Sequence, residues 1–154
     1  MGLTVLAPVT GQVVALADVP DPVFAGELVG PGLAIDPVHE PASQAVAPVG
    51  GVVVKLHAHA FVIQLAGDTP TAVLVHLGID TVQLGGQGFT LHVAEGDTVA
   101  AGQPVISWDP AAIVAGGRSA ICPVVALEAP PAAIDRLAEP GDTVAAGAPL
   151  LAWA

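Results

Sequence analysis

Aliphatic runs of four to six residues recur along this chain between Gly, Pro and Asp: GQVVALA, GVVVKLH, AFVIQL, AVLVHL, FTLHVA, QPVISW, CPVVAL and APLLAW. Valine-rich runs this short, bounded by turn residues, form strands, because the branched side chains suit a pleated surface and the punctuation ends each one. Helical windows of ten or more residues are scarce. Only residues 111–115, behind Pro110, and 132–138, behind Pro131, are placed to make a helical turn or two, since proline is tolerated where a helix begins. The chain is therefore predicted to be all-β.

Two internal echoes sharpen that expectation. APVTGQVVAL at 7–16 returns as APVGGVVVKL at 47–56, and EGDTVAAGQPVISW at 95–108 returns as PGDTVAAGAPLLAW at 140–153. In each GDTVAAG, Gly-Asp supplies a turn, Thr-Val a short strand and Ala-Ala-Gly a second tight turn. The echoes predict duplicated β units packed as an antiparallel β-sandwich, with alternate side chains buried between layers. A chain of 154 residues suits one domain, residues 1–154, burying roughly 70% of its unfolded surface. The start at Met1 and the end in the repeated LLAWA predict a complete unit.

Composition excludes several classes. Although 53% of residues are hydrophobic, every long apolar stretch is broken by Pro, Gly, Gln or a charge, so no segment is expected to insert in a membrane. Residues 1–17 lack the basic start of a signal peptide, which points to the cytoplasm. Only Lys55, Arg118 and Arg136 are basic against 14 carboxylates, and a formal charge of -11 disfavours nucleic acid. The lone cysteine, Cys122, lies between Ile121 and Pro123 and reads as a buried, inert thiol.

Three of the five histidines, His57, His59 and His76, interrupt aliphatic segments in a chain poor in ionisable groups. AFVIQL and AVLVHL, separated by AGDTPT, read as a β-hairpin. His59 enters its first strand and His76 ends its second, so alternation and antiparallel pairing are expected to bring both imidazoles to one face. Three chemistries suit such a pair. One histidine carries a phosphoryl group while the other donates a hydrogen bond to its oxygens. Alternatively, His57, His59, His76 and Asp80 ligate zinc, as in a metallopeptidase of related β architecture. In the third, the histidines act as an acid/base pair for hydrolysis, for which no Ser or Cys nucleophile stands beside them.

At HLGIDTVQLGGQGF the sequence resembles the phosphohistidine motif of the glucose-type enzyme IIA (EIIA) domain of the bacterial phosphoenolpyruvate-dependent sugar phosphotransferase system. The resemblance extends through VLAPVTGQVVALADVPDPVFAGELVGPGLAIDP, APVGGVVVKL, the HAF around His59, the EGDTVAAGQPVISWD block and the PVVAL after Cys122. It implies a β-sandwich phosphocarrier. His76 would accept phosphate from the protein HPr and pass it to a cysteine of an EIIB domain of a sugar permease. It also implies His59 as the second active-site histidine, Asp80 as a supporting residue, and no cofactor beyond the transient phosphohistidine. Adventitious binding of zinc to His59 and His76 stays open beside this reading. Docking in the family uses an apolar apron around the histidines, here expected from Val23, Phe24, Leu28 and Leu74.

Two departures from the family pattern bear on the site. His59 and His76 are 76 - 59 = 17 residues apart, two more than usual, an even change expected to keep both on one face. His57 and Ala58 stand where the family often has Thr-Asn, which removes a usual hydroxyl and leaves His57 to replace it or to be a solvated loop residue. Among rival readings, the metallopeptidase has its HxxxD and HxH motifs in reversed order here. A lipoyl-type carrier lacks a lysine at a hairpin tip, Lys55 lying within an apolar run.

Overall fold

The computed structural model describes residues 3–39, 42–65 and 71–153. In chain order the strands are β1 (Leu3–Leu6), β2 (Gly11–Val14), β3 (Gly32–Pro37), β4 (Ser43–Val46), β5 (Gly51–His57), β6 (Ala60–Gln64) and β7 (Ala72–His76). They continue as β8 (Thr90–Leu91), β9 (Thr98–Val99), β10 (Pro104–Trp108), β11 (Cys122–Ala126), β12 (Ile134–Arg136), β13 (Thr143–Val144) and β14 (Pro149–Trp153). Two short helices, α1 (Pro22–Ala25) and α2 (Pro110–Ala115), interrupt them. The architecture is thus all-β with antiparallel pairing throughout, as the short aliphatic runs predict, and the Thr-Val pairs of both GDTVAAG segments form β9 and β13.

An eight-stranded sheet, ordered β13-β2-β3-β11-β7-β6-β5-β9, is joined by two three-stranded sheets, β1-β14-β12 and β4-β10-β8. Swapping β1 for β4, β2 for β5, β3 for β6, β11 for β7, β12 for β8, β13 for β9 and β14 for β10 reproduces the order, which extends the duplication seen in sequence. Backbone hydrogen bonds repeat it atom for atom. Leu6 N–H donates to Pro48 O and Val46 N–H to Pro8 O, each at 2.9 Å. Likewise Ala7 N–H donates to Ala148 O and Ala47 N–H to Gln103 O, each at 2.8 Å. Val13 exchanges bonds with Asp142 and Gly141 as Val53 does with Asp97 and Gly96.

The main core lies between the sheets. Val5, Ala45, Ile106 and Leu150 meet Val13, Ile35, Phe61, Ile63, Val73, Val75 and Val124 there, all essentially inaccessible to water. A second cluster covers the opposite face of the large sheet, where Leu16, Val19 and Phe24 pack on Ala34 and Val125. Central strand β11 is therefore buried along its whole length, whereas β7 alternates, with Val73 and Val75 inside and Leu74 and His76 half-buried outside.

The helical expectation holds for α2, capped by Asp109, whose carboxylate accepts from Ala112 N at 2.9 Å. It fails for 132–138. There a single 3-10 turn, Pro131–Ala133, gives way to β12, because Ile134, Asp135 and Arg136 find ladder partners in Trp153, Ala152 and Leu151. FTLHVA yields only the two residues of β8. Residues 66–70, which fall in the AGDTPT turn expected between the two strands, lie outside the described residues. Cys122 is buried as expected, its thiol pKa pushed up by burial.

The duplication has a matched steric requirement. A Cβ placed on Gly11 would sit 2.2 Å from Asp36 O, and one on Gly51 would sit 2.2 Å from Gln64 O. A Cβ on Gly50 meets nothing closer than 3.6 Å. Gly11→Ala and Gly51→Ala are each expected to lose about 1–3 kcal/mol in urea unfolding, and Gly50→Ala to stay within about 0.5 kcal/mol of wild type. Equal stability of all three would show that the strands accommodate the extra carbon.

Candidate functional site

Strands β6 and β7 pair Ala60 with His76, Phe61 with Val75 and Ile63 with Val73, and Leu77 N–H donates to His59 O at 2.7 Å. In that register His59 lies opposite Leu77, so strict alternation would send His59 inward with Phe61 and leave His76 outside with Leu74. The expectation that strand alternation sets both imidazoles on one face is therefore corrected. They meet for another reason. β5 and β6 are joined across the pair His57 and Ala60 by a two-residue turn, Ala58 and His59, and a turn residue is released from the pleat.

The rings form a ladder. His57 stacks on His59 with centroids 5.7 Å apart and planes at 24°, and His59 meets His76 edge-to-face at 5.0 Å and 71°. Beyond His76, the ring of Phe24 lies 5.3 Å away and tilted by 57°. His57 is exposed, while His59 and His76 are half-buried.

What fixes His76 is the turn that follows it. Its Nδ1–H donates to Gly78 O at 2.5 Å. A carbonyl oxygen only accepts, so the proton resides on Nδ1 and the lone pair on Nε2. Gly78 has φ of +78°, and a Cβ there would lie 2.7 Å from Thr81 Cγ2 and 3.0 Å from Ser119 O. Ile79 N–H donates to Ser119 O at 2.9 Å, and the buried Thr81 hydroxyl donates to Leu77 O at 2.7 Å. Gly78, Thr81 and Ser119 thus hold the acceptor carbonyl in place. None of the three was singled out from sequence. The HLGIDT segment contained the signal for the first two, a glycine and a lone hydroxyl flanking apolar residues, whereas Ser119 is distant in the chain.

Burial lowers the pKa of His76, opposed by its bond to Gly78 and by the charges of Asp21 and then Asp80. Burial also lowers that of His59, reinforced by His76 and His57. Both rings are therefore neutral at pH 7. Asp80 is exposed at φ +60° and opens the 3-10 turn Thr81–Leu84, so it touches His76 through its field. Asp21, which the sequence reading did not pick, caps α1 by accepting from Val23 N at 2.9 Å.

The four apron residues separate. Val23 is 41% exposed and Leu28 73%, and Leu74 is half-buried in the outer cluster. Phe24 is corrected from apron to floor: it is only 7% exposed, because its ring fills the space between the outer cluster and His76. Val82, on the turn after His76, is a further exposed aliphatic at 62%. Among the described residues, no three of His, Cys, Asp and Glu converge to hold a metal, so the set His57, His59, His76 and Asp80 does not form the zinc site of the alternative reading. His39, 3.7 Å from the Asp36 carboxylate, and His92, sharing a 2.6 Å hydrogen bond with the Ser107 hydroxyl, stand apart from the ladder.

Fold and site together define an internally duplicated, all-β domain that presents a neutral imidazole with a free Nε2 at its surface. Residues 3–130 match the family described as phosphoenolpyruvate-dependent sugar phosphotransferase system, EIIA 1. The chain is 42% identical over 122 residues to the glucose-specific EIIA component of Bacillus cereus, covering 79% of this chain and 72% of that one. It is 40% identical over 121 residues to the mannose-specific EIIBCA component of Corynebacterium glutamicum, covering 79% of this chain but 17% of that longer protein. The structure superposes on glucose permease IIA from Mycoplasma capricolum with a TM-score of 0.87 at 30% identity, over 99% of this chain and 96% of that one. The chain belongs to the glucose-type EIIA family of the sugar phosphotransferase system.

His76 is expected to titrate below 6.5, with the Nδ1-protonated tautomer visible in its nitrogen chemical shifts. Between the lowered folded pKa and 6.5 the unfolded chain binds more protons than the folded one, so stability falls as pH drops through that window. His76→Gln is expected to flatten this fall. A titration above 6.5, or an unchanged slope in the variant, would contradict the burial argument.

Proposed function

We propose that this EIIA protein is a phosphocarrier in which Nε2 of His76 takes a phosphoryl group from phosphorylated HPr and hands it to the cysteine of an EIIB domain during sugar uptake. The observation that carries this reading is the hydrogen bond from His76 Nδ1–H to Gly78 O, which leaves the Nε2 lone pair free. The lone pair attacks phosphorus as the bond to HPr breaks, and the displaced group keeps that bond's electron pair. No proton has to leave His76. In the second step the cysteine thiolate attacks and the Nε2–P bond breaks, returning the imidazole to its starting state. His59, edge-on to His76, donates a hydrogen bond to the phosphoryl oxygens. Such a transfer needs in-line positioning between docked proteins more than a strong base, and it uses no cofactor.

Relatives named EIIBCA components carry the matching segment within a longer chain, which supports an EIIB domain as the acceptor. Among the described residues no helix is long and apolar enough to cross a membrane. A cytoplasmic site of action follows from the reading, since both partners in it are cytoplasmic. Val23, Leu28 and Val82 supply an exposed aliphatic surface, and the charge of -11 steers a basic partner face toward it.

Intact mass after incubation with phosphoenolpyruvate, enzyme I and HPr tests the central step. Wild type and His59→Gln are expected to gain an acid-labile increment of about 80 Da, the mass of a phosphoryl group, and His76→Gln none. His59→Gln should then fail to deliver it to EIIB. The rate of gain should hold as pH falls through 6.5 and decline only below the lowered pKa of His76. Absence of any gain in wild type would end this reading.

Docking is best tested away from Phe24, whose truncation would cost about 3–5 kcal/mol for a fully buried ring and confound folding with binding. Val23→Ser is expected to slow transfer from HPr severalfold while urea unfolding stays within about 0.5 kcal/mol of wild type. An unchanged transfer rate would remove Val23 from the interface.

A further inference from the structure

We propose that His57 is a positioning residue, whose ring, stacked on His59, holds that second histidine in its edge-to-face seat against His76. The inference rests on the reading of His76 as phosphoryl acceptor and assigns a role to a residue that the family pattern leaves open.

The two imidazoles of the site are held very differently. His76 ends a strand, and its ring is pinned to Gly78 O. His59 occupies a two-residue turn, and among the described residues no hydrogen bond holds its ring. Its ring contacts are with His57 on one side and His76 on the other. A half-exposed side chain free to turn about two torsions would spend much of its time away from the acceptor. His57 has what His59 lacks. It is the last residue of β5, in ladder register with Ala60, so the sheet itself sets where its side chain projects. Its ring lies 5.7 Å from His59 and within 24° of parallel, the offset stack that flat rings prefer.

The stack leaves the polar edges of His59 available, since a parallel neighbour covers a face. A phosphoryl group on His76 would thus form within reach of the His59 ring, whose centroid lies 5.0 Å from that of His76. Electrostatics act in the same sense. His57 and His76 are the titratable groups that face His59, and both disfavour its protonation, while Asp21 and Asp80 act on His76. A solvated loop histidine would show neither the parallel ring nor this coupling.

The test uses the full chain with His57→Ala and His57→Phe. Phenylalanine keeps a flat ring for the stack and removes the ring nitrogens. Both rates are followed, the mass gain from phosphorylated HPr and delivery to EIIB, with thermal unfolding recorded for each variant. His57→Ala is expected to slow delivery by about three- to tenfold, the scale of one stacked ring pair. His57→Phe should restore it to within about twofold of wild type. Wild-type delivery in His57→Ala, or equal slowing in His57→Phe, would overturn the proposal while leaving the His76 acceptor intact. Lack of mass gain in wild type would bring down the acceptor reading, and the His57 role with it.

Discussion

Two backbone hydrogen bonds, from Leu6 N–H to Pro48 O and from Val46 N–H to Pro8 O, lock the two halves of the duplication into each other. Each half supplies what the other's backbone lacks, so neither β unit satisfies its own amides alone. The glycines that open β2 and β5 follow from the same constraint, because a side chain at either would collide with the carbonyl of the neighbouring strand. The dry core between the sheets then forms from alternate valines and isoleucines whose register is already fixed.

The candidate site lies where the duplication is broken. In one half β2 and β3 are joined by residues 15–31, which fold over the large sheet as a 3-10 turn and α1. In the other, β5 and β6 are joined by two residues. The first connection buries the outer face of β11 and places Phe24 beneath His76. The second puts His59 at its tip. Ala126 N–H donates to Pro31 O at 2.9 Å where Leu77 N–H donates to His59 O at 2.7 Å, so a proline stands in one half where the other has the second histidine. One connection covers the large sheet, and the other carries His59 of the candidate site.

The chemistry of the site rests on competition between burial and charge. Desolvation keeps His76 neutral, the state in which Nε2 is nucleophilic, and the carboxylates of Asp21 and Asp80 limit how far that shift goes. With 14 carboxylates and 3 basic side chains in the chain, the surface favours a cationic partner, while Val23, Leu28 and Val82 are exposed aliphatics. In the proposed transfer, charge would bring the partner near and apolar contact would select the face.

By itself, the sequence determined the class of fold and the identity of the histidines. Short valine runs between turn residues dictate strands, the offsets of 40 and 45 reveal the duplication, and HLGID marks His76. Other features carry no periodic signal. α1 is too short for a helical period, β12 is a strand because Trp153 and its neighbours offer partners, and Phe24 looks like any exposed aromatic until the outer cluster closes on it. Tertiary structure alone decided that His59 would leave the pleat, that Ser119 would brace the Gly78 turn, and that His57 would stack on its neighbour. Alternation is a local rule that a strand enforces on itself, but which residue falls in a turn, and what faces it there, is set by the register of paired strands and by what packs against them.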